Sequence, residues 1–438
     1  MKHSHGFAPL VLALSFVPFV GGSGQSVPPS SSSHLSADTP LSVDQAVTEA
    51  LQSNTEIRAA VRRLSLAQLK TTTARSLDDP MLMVRDWDTP LRQPWDVNQA
   101  QLMFSVQQTF LSKEKRDARA RIAGDDVEVA SSELESLRQE VSADVREACA
   151  DLKRNADEMR VHDRQAALLK EALAAVLAQY TTGKVPEADV LRAQMALTRL
   201  SEHLIELEEE RDNARARLNT LLGRPPDEAV EIAGEYAIPA ELPPIEELER
   251  LAIEHRPELA AQRKLLTKSR DQEQLTRLAM KPDFTLGAGY MVMPSGSASR
   301  NAYMAELTMN LPWLNRDRHQ GEAKQADAAT AVTQAELDAR ASAVFLEVRQ
   351  AQIETLAAEK RVKVYRDTLL PQAETTFKAS TAAYQNNRAE FQTLIDSQNL
   401  LLEIQTAYYK ALSATDAGIA GLERAIGAQL PGTERTSK

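Results

Sequence analysis

The chain has 438 residues, of which 43% are hydrophobic and 26% charged, and its formal net charge is −11 at pH 7. The negative net charge is spread over helices that carry charges of both signs, and the sequence contains no basic tract. Both features argue against nucleic acid as a partner. The only cysteine, Cys149, excludes an intramolecular disulfide.

The N-terminus predicts an export signal over residues 1–25. Lys2 precedes an apolar stretch that runs from Phe7 to Val20 and ends among small residues, which is the pattern of a cleaved signal peptide. No later segment approaches the roughly 18 apolar residues that a transmembrane helix needs. Residues 26–40 are rich in Ser and Pro and are expected to form a flexible leader. An exported chain without disulfides fits a bacterial envelope.

The next segments predict a helix, two strands and a very long helix. The first helix is expected from near Ser42 to about Arg75, before Pro80 ends the pattern. Residues 81–110 contain two alternating apolar and polar runs on either side of a proline-containing loop, which is typical of two strands. Residues 112–179 lack proline and predict one helix roughly 100 Å long, at 1.5 Å per residue.

A second long helix is expected over residues 187–222, between the turn formers Gly183 and Pro186 and the terminator Gly223. Its apolar residues are spaced alternately by three and four positions, which predicts a coiled-coil seam. These residues are Val190, Ala193, Leu197, Leu200, Leu204 and Leu207. The corresponding seam near the C-terminus is diluted by small and polar residues, so its partner surface must differ. It consists of Leu394, Ser397, Leu401, Ile404, Tyr408 and Ala411.

The whole arrangement occurs twice. Landmarks recur in the same order about 202 to 204 positions later; they include Pro80 and Pro282, Tyr180 and Tyr384, Gln194 and Gln398, and Gly223 and Gly427. Internal repeats of this kind outrank local signals. We predict a first repeat over 41–223, a linker over 224–244, a second repeat over 245–427 and a tail over 428–438.

The second repeat is expected to contain the same elements. Its first helix should run to Met280 and its strands should lie within 283–311. A long helix is predicted from about Arg316 to Ala383, with a kink at Pro371. The last helix should end at residue 427.

The strand segments have two chemically different faces. In 303–311 the apolar residues are Tyr303, Ala305, Leu307, Met309 and Leu311, and the intervening ones are Met304, Glu306, Thr308 and Asn310. Strands of about ten residues can cross a membrane. Only a closed barrel satisfies the backbone in lipid, so four strands would need other copies of the chain. The alternative is a small sheet packed on a soluble helical domain.

Several segments together resemble the TolC-type outer-membrane factors, especially the branch that serves heavy-metal and drug efflux. They are the turn segment Tyr180–Gln194, its repeat Tyr384–Gln398, Leu370-Pro371-Gln372-Ala373, Val106–Phe110 and Leu311-Pro312-Trp313. The resemblance covers about 41–427. It implies a mainly α fold with a β-barrel part: two tandem repeats of coiled-coil hairpins and β-hairpins. It further implies a homotrimer with a twelve-strand outer-membrane barrel and a periplasmic helical tunnel.

The resemblance also assigns functional positions. The periplasmic gate would contain Tyr180, Gly183, Asp189, Arg192, Tyr384, Asn387, Arg388 and Asp396. The residues in contact with a periplasmic adaptor would be Gly183, Val185, Asn387 and Ala389. Where many relatives have glycine this chain has Asn387, and the usual Gly-Lys-Arg before the first long helix is replaced by 112–116. The alternative is that these residues only form helix-breaking turns and solvated charges worth under about 1 kcal/mol each.

One gate position has a specific chemical expectation. Three copies of Asp396 that meet on a threefold axis would repel one another, bind cations and raise the carboxyl pKa. The strand alternation, in turn, places Glu306, Thr308 and Asn310 on the inner, luminal side of the barrel.

Metal and catalytic sites are not predicted. His162, His203, His255 and His319 are far apart in the sequence, and no phosphate loop, nucleophile elbow or zinc motif is present. Methionines are concentrated near the strands, and thioethers suit Cu(I) and Ag(I). Ordinary packing and membrane-facing roles are the alternative for them. They are Met81, Met83, Met103, Met280, Met291, Met293, Met304 and Met309. We therefore expect no enzyme activity and no cofactor.

The function expected is a passive outer-membrane exit duct of a tripartite efflux system. Its partners would be a periplasmic adaptor, an inner-membrane pump and outer-membrane lipid, and its cargo small molecules such as metal ions or drugs. One alternative is a periplasmic coiled-coil adaptor or scaffold without a pore. The other is an outer-membrane duct for type I protein secretion.

Overall fold

The computed structural model describes residues 40–87, 101–236, 242–293, 301–386 and 388–430. The predicted export signal, the leader up to residue 39, Asn387 and the tail from residue 431 lie outside these ranges. Within them, none of the helices combines the length and the apolar character needed to cross a membrane.

Among the described residues, the first repeat and the linker after it contain four helices and four strands. They are β1 (Leu41–Ser42), α1 (Val43–Ser53), α2 (Thr55–Ala74), β2 (Met81–Trp87), β3 (Gln101–Phe110), α3 (Lys113–Thr181), α4 (Glu187–Leu222) and β4 (Ile232–Ala233). The two strands, the 69-residue α3 and the following α4 confirm the predictions for 81–110, 112–179 and 187–222. β1 and β4 pair in parallel, with Leu41 opposite Ile232.

The second repeat contains the equivalent large elements. They are α5 (Ile245–His255), α6 (Pro257–Leu278), β5 (Phe284–Val292), β6 (Asn301–Met309), α7 (Arg316–Val364), α8 (Leu370–Gln385) and α9 (Phe391–Ile426). A 3₁₀ turn over Pro312–Asn315 joins β6 to α7, and a π-helical segment over Tyr365–Leu369 joins α7 to α8. The irregularity predicted at Pro371 thus takes the form of a π segment.

The single helix predicted from Ser42 to about Arg75 is wrong, because Asn54 divides it into α1 and α2. The Asn54 side chain accepts hydrogen bonds from the backbone N–H groups of Glu56 and Ile57, at 2.8 and 3.2 Å, and so caps α2. The single helix predicted at the start of the second repeat, up to Met280, is also wrong, because Arg256 divides it into α5 and α6. Arg256 has an extended backbone, with φ −74° and ψ 119°, as the residue before a proline prefers.

Each repeat has its own hydrophobic core, where the short helices pack on the long ones. Equivalent positions build both cores: Ala50, Ile57, Val145, Leu218 and Leu222 in the first, and Ala252, Leu259, Val348, Leu422 and Ile426 in the second. A third core lies nearer the turns of the long hairpins and combines both repeats. It includes Val190 and Leu200 of α4 together with Leu394 and Ile395 of α9. Four residues of the seam predicted on α4 are buried, while Leu197 and Leu204 are half-buried, and the seam packs partly on the other repeat.

The sheet also joins the two repeats. Its strand order is β2-β3-β5-β6, and all neighbours are antiparallel. The register places Phe104 opposite Tyr290, and Tyr290 opposite Tyr303, so apolar residues of different strands share one face. On that face Tyr303 is 90% exposed and Leu307 is 66% exposed. A sheet packed on a helical domain would bury these side chains, so that alternative does not fit the single chain.

Candidate functional site

The turn between α3 and α4 is closed by a glycine-dependent helix end. Gly183 has φ +69°, and its N–H donates to the carbonyl of Tyr180 at 2.8 Å, while the N–H of Lys184 donates to the carbonyl of Gln179 at 3.0 Å. These two bonds form a Schellman motif. The turn after α8 contains the hydrogen bond that corresponds to the one from Lys184 to Gln179. It runs from the Arg388 N–H to the Ala383 carbonyl at 2.8 Å.

The two turns meet through Tyr384. Its ring packs on Phe391 with 5.6 Å between the centroids, and its hydroxyl donates to Gln179 Oε1 of the other hairpin in a long contact of 3.5 Å. Burial raises the pKa of the Tyr384 phenol, and the charge of Asp189 raises it further. Tyr384 therefore lies between the two hairpins, with the Asp189 carboxylate nearby.

The other gate candidates make local contacts. Asp189 is buried and accepts a hydrogen bond from Arg192 Nη1 at 2.9 Å, one turn further along α4. Asp396 is exposed and accepts from Gln392 Nε2 at 2.7 Å within α9. Tyr180 and Arg388 are exposed. Near the turns, the polar contact between the hairpins that involves these candidates is the one from Tyr384 to Gln179, while Asp189 pairs with Arg192 of its own helix.

The predicted adaptor contacts lie at the turns. Gly183 is exposed, whereas Val185 and Ala389 are half-buried. Val185 packs against the third core. Asn387, the remaining candidate, is outside the described residues. The assignment of these positions to an adaptor stays a prediction.

The predicted luminal residues lie on or beside the face of the sheet opposite Tyr303. Glu306 accepts from Gln107 Nε2 at 3.0 Å and from the Thr308 hydroxyl at 3.2 Å. Asn310 follows β6, and its Oδ1 accepts from the Asp283 N–H at 2.7 Å. This face is hydrogen-bonded and polar over these positions.

Five methionines share this face, which the general expectation of membrane-facing methionines did not foresee; one of them, Met81, is opposite Gln107. Met103 is directly opposite Met291 in the register. Met83 and Met304 lie on the same face, each diagonal to one of that pair. Met309, by contrast, lies on the apolar face opposite Phe284.

A groove of about 800 Å³ runs between α4 and α9, with α3 as its floor. It brings together His162 of α3 and His203 of α4, whose rings are edge to face with centroids 6.1 Å apart. The gate candidates Arg192 and Asp396 line the same groove. Sequence reasoning kept the histidines apart because they are 41 positions apart. Both, however, are about 20 residues from Gly183, so an antiparallel hairpin pairs them.

Burial and charge define the chemistry of this groove. Burial lowers the pKa of His162, and the neighbouring His203 lowers it further. His203 Nδ1 lies 3.0 Å from Glu206 Oε2. Among the described residues, neither His162 Nδ1 nor Gln165 Nε2 has a hydrogen-bond partner, although both atoms are buried.

Two long helical hairpins that continue into an antiparallel sheet with an exposed apolar face are the protomer fold of outer-membrane channels. The fold matches the outer-membrane channel OprN with a TM-score of 0.73 and 18% identity, over 88% of this chain and 90% of that one. It matches CusC with a TM-score of 0.74 and 15% identity, over 89% and 93%. The match to VceC from Vibrio cholerae has a TM-score of 0.72 and 19% identity, over 88% and 96%.

The family model for outer membrane efflux proteins matches residues 46–224 and 248–428. The chain belongs to this family, which confirms the resemblance found in the sequence. A curated relative is the cobalt-zinc-cadmium resistance protein CzcC of Cupriavidus metallidurans. It is 24% identical over 389 residues, which cover 89% of this chain and 90% of the relative.

Proposed function

We propose that this protein is the outer-membrane exit duct of a tripartite efflux system, through which small cargo leaves without chemical change. The observation that carries the proposal is the register of the sheet. It aligns apolar side chains of all four strands on one exposed face, and places the polar side chains of Gln107, Glu306 and Thr308, together with five methionines, on the other. Such a surface is stable when lipid covers the apolar face and water fills the polar side.

Three copies would close the barrel. β2 and β6 are the outer strands of the sheet, and each therefore has one edge that needs a partner in lipid. Pairing of β6 with β2 of the next copy would give twelve strands and no free edge. Family membership supports this homotrimer, with the barrel in the outer membrane and the helices in the periplasm.

The gate and the partners follow from the same arrangement. The hairpin turns would meet a periplasmic adaptor through Gly183, Val185, Asn387 and Ala389, and an inner-membrane pump would deliver the cargo. Asp396 would form an acidic ring at the constriction, and Glu306, Thr308 and Asn310 would line the barrel. Opening would separate the contacts of Tyr384 and Gln179.

The cargo we propose is divalent metal ions. The support is the relative CzcC, whose name records cobalt, zinc and cadmium resistance. Drug efflux and type I protein secretion are the other cargo classes that a duct of this kind serves. A pore-free scaffold is the alternative outside this class, and it has no use for an apolar sheet face.

Single-channel conductance of the detergent-extracted protein in planar bilayers tests the duct, with the oligomer mass measured on the same sample. We expect a trimer with discrete, cation-preferring conductance. Asp396→Asn should reduce the cation preference, because it removes the charge and keeps the size of the side chain. Glu374→Gln, which removes an exposed carboxylate of α8, is the matched control. A monomer or dimer without channels would overturn the duct in favour of the scaffold.

A further inference from the structure

We propose that His162 and His203 form a binding site for a divalent transition-metal ion in the groove between α4 and α9. The ligand class is a borderline ion such as Zn²⁺ or Co²⁺, for which imidazole is a suitable donor. The inference deepens the proposed function by giving the groove beside the gate a cargo-binding role. The site itself requires only the folded first hairpin.

The distance between the two rings fits one ion. Zinc binds imidazole nitrogen at about 2.0–2.1 Å, so an ion would lie roughly 3.2 Å from each ring centroid. The observed separation of 6.1 Å is just under twice that value. Because the rings are edge to face, with 67° between their planes, one imidazole must turn until a nitrogen, and not its face, is directed at the ion.

Both imidazoles are prepared as ligands. His162 is 7% exposed, and its Nδ1 has no partner among the described residues although it lines the groove. His203 contacts Glu206 through Nδ1, which leaves Nε2 available. A carboxylate on the far nitrogen is the usual outer partner of a metal-bound histidine.

The charge of the groove also favours a cation. Five carboxylates and three cationic side chains line it. The carboxylates are Glu158, Glu206, Glu210, Asp396 and Glu403, and the cations are Arg192, Arg199 and Lys410. The nearest competitor is Lys410, whose charge lowers the pKa of His162 and would also weaken metal binding. Arg154 of α3 also pairs with Glu158 and Glu210, and with it included the five carboxylates still outnumber the cationic side chains.

The two histidines would fill only part of the coordination sphere of the metal ion. In the part of the chain that the structure describes, no group of three or more His, Cys, Asp and Glu side chains is arranged to hold a metal ion. The pair thus supplies two protein ligands, and water would complete the coordination. Closed four-ligand sets hold structural zinc, whereas open sets exchange their ligands. An open site suits an ion that binds in transit and is released.

Zinc titration of the full-length, chelator-treated trimer tests the site, with the protein purified through a tag that contains no histidine. Calorimetry at pH 7.5 should detect one Zn²⁺ per chain that depends on the pair. We expect His162→Gln and His203→Gln each to weaken this binding at least about tenfold, and Glu206→Gln to weaken it less.

His319→Gln is the matched control. His319 Nδ1 lies 3.1 Å from Glu322 Oε2, so it repeats the contact of His203 with Glu206 but is not paired with another imidazole in the described residues. Zinc binding should not change in this variant. Equal loss in His319→Gln, or undiminished binding in the His162→Gln/His203→Gln double variant, would overturn the site. Should His162→Gln fail to assemble, His203→Gln decides alone, because its side chain is 57% exposed.

The two proposals fail separately. A trimer that conducts but shows no histidine-dependent zinc binding would overturn the metal site and leave the duct. A protein that binds zinc at the pair but forms no channel would overturn the duct and leave the site.

Discussion

Gly223 and Gly427 end α4 and α9 in the same backbone conformation, with φ +72° and +73°. A Cβ atom on Gly223 would lie 2.8 Å from the carbonyl oxygen of Ser53, and one on Gly427 would lie 2.8 Å from that of His255. The two carbonyls are themselves equivalent positions of the repeat. Glycine is therefore required at both positions for two reasons: the left-handed backbone of the turn and the close approach to the end of a short helix. The sequence indicated only the first.

Alanine at either of these glycines should destabilise the protein more than alanine at Gly183. At Gly183 the left-handed backbone alone costs about 1–2 kcal/mol, since no atom lies within 4 Å of the added Cβ. Gly223→Ala and Gly427→Ala add the clash, so we expect about 1–3 kcal/mol more. Denaturant unfolding of the three variants in detergent measures the difference. Equal losses would show that the backbone, and not the contact, sets the cost.

Lys115 shows why a basic residue recurs at the junction between the sheet and α3. It is 5% exposed. Its Nζ donates to both Asp283 carboxylate oxygens, at 2.9 and 2.8 Å, and to the carbonyl of Lys281 at 2.7 Å. The junction of the first repeat is thereby attached to the start of β5 in the second. The sequence identified the basic cluster, but its partner is 168 residues away.

Lys115→Met should destabilise the protein by about 3 kcal/mol, because it leaves the Asp283 carboxylate without its buried partner. Lys113→Met, two residues earlier and exposed, should change stability by less than about 0.5 kcal/mol. The free energy of unfolding in detergent checks both variants. A Lys115→Met protein as stable as the control would mean that water replaces the ammonium group.

At the scale of elements, the two long hairpins differ although their sequences are repeats. α3 is continuous over 69 residues, whereas its counterpart is divided by the π segment at Tyr365–Leu369. Pro371 is the cause, because its nitrogen has no hydrogen to donate to the carbonyl of Asp367 and its ring crowds that carbonyl. A π turn accommodates this defect without ending the helix. Pro371 predicted an irregularity in the helix. That the irregularity is a π segment, and not a sharp kink, was seen only in the structure, where α7 and α8 both pack on α9.

Pro371→Ala should convert the π segment to a regular α-helix and slow amide hydrogen exchange over 365–375. The restored N–H would add one hydrogen bond and remove the steric conflict, so we expect protection to rise by roughly tenfold, or about 1.4 kcal/mol. Exchange followed by mass spectrometry measures it. The equivalent stretch of α3, residues 161–171, serves as the internal control and should not change. Unaltered exchange at 365–375 would mean that packing, not Pro371, imposes the π turn.

At the scale of the whole molecule, the two repeats are joined along their length, because α3 of the first repeat packs against α6 and α9 of the second and Arg146 of α3 pairs with Glu423 of α9. The pairing of β3 with β5 joins them within the sheet, and the ion pair of Lys115 with Asp283 joins them at the junction. The third core joins them near the turns, where α4 and α9 contribute to one cluster. Residues of both repeats therefore contact one another from the sheet to the hairpin turns.

Arginine at Leu307 should prevent insertion into the outer membrane, whereas arginine at the adjacent Thr308 should be tolerated. Leu307 lies on the exposed apolar face and Thr308 on the polar face beside Glu306. A lipid-facing arginine costs about 2–4 kcal/mol at mid-membrane depth, and a trimer carries three. The amount of assembled oligomer in the outer-membrane fraction is the readout. Similar yields of Leu307→Arg and Thr308→Arg would contradict the assignment of the faces.

The sequence by itself determined the duplication, the long helices and the alternation of the strands, because helix and strand periods are local patterns that repeat every few residues. It also supplied the family resemblance, because landmark residues such as Tyr180 and Tyr384, and Gln194 and Gln398, recur at matching positions of the two copies. Helix breaks were predicted less well. Asn54 ends a helix only because its side chain caps the next one, and its Nδ2 donates to the carbonyl of Leu221 at 3.0 Å.

Only the tertiary structure decided which distant residues share a site. Asp189, Tyr384 and Gln179 meet because two hairpins pack side by side. Their positions in the sequence do not predict this contact. His162 and His203 meet because α3 and α4 run antiparallel from Gly183, so the distance of each from the turn matters more than the distance between them. Contacts within a turn are set by the local sequence. Contacts between hairpins depend on how the buried faces fit, and that is a property of the folded chain.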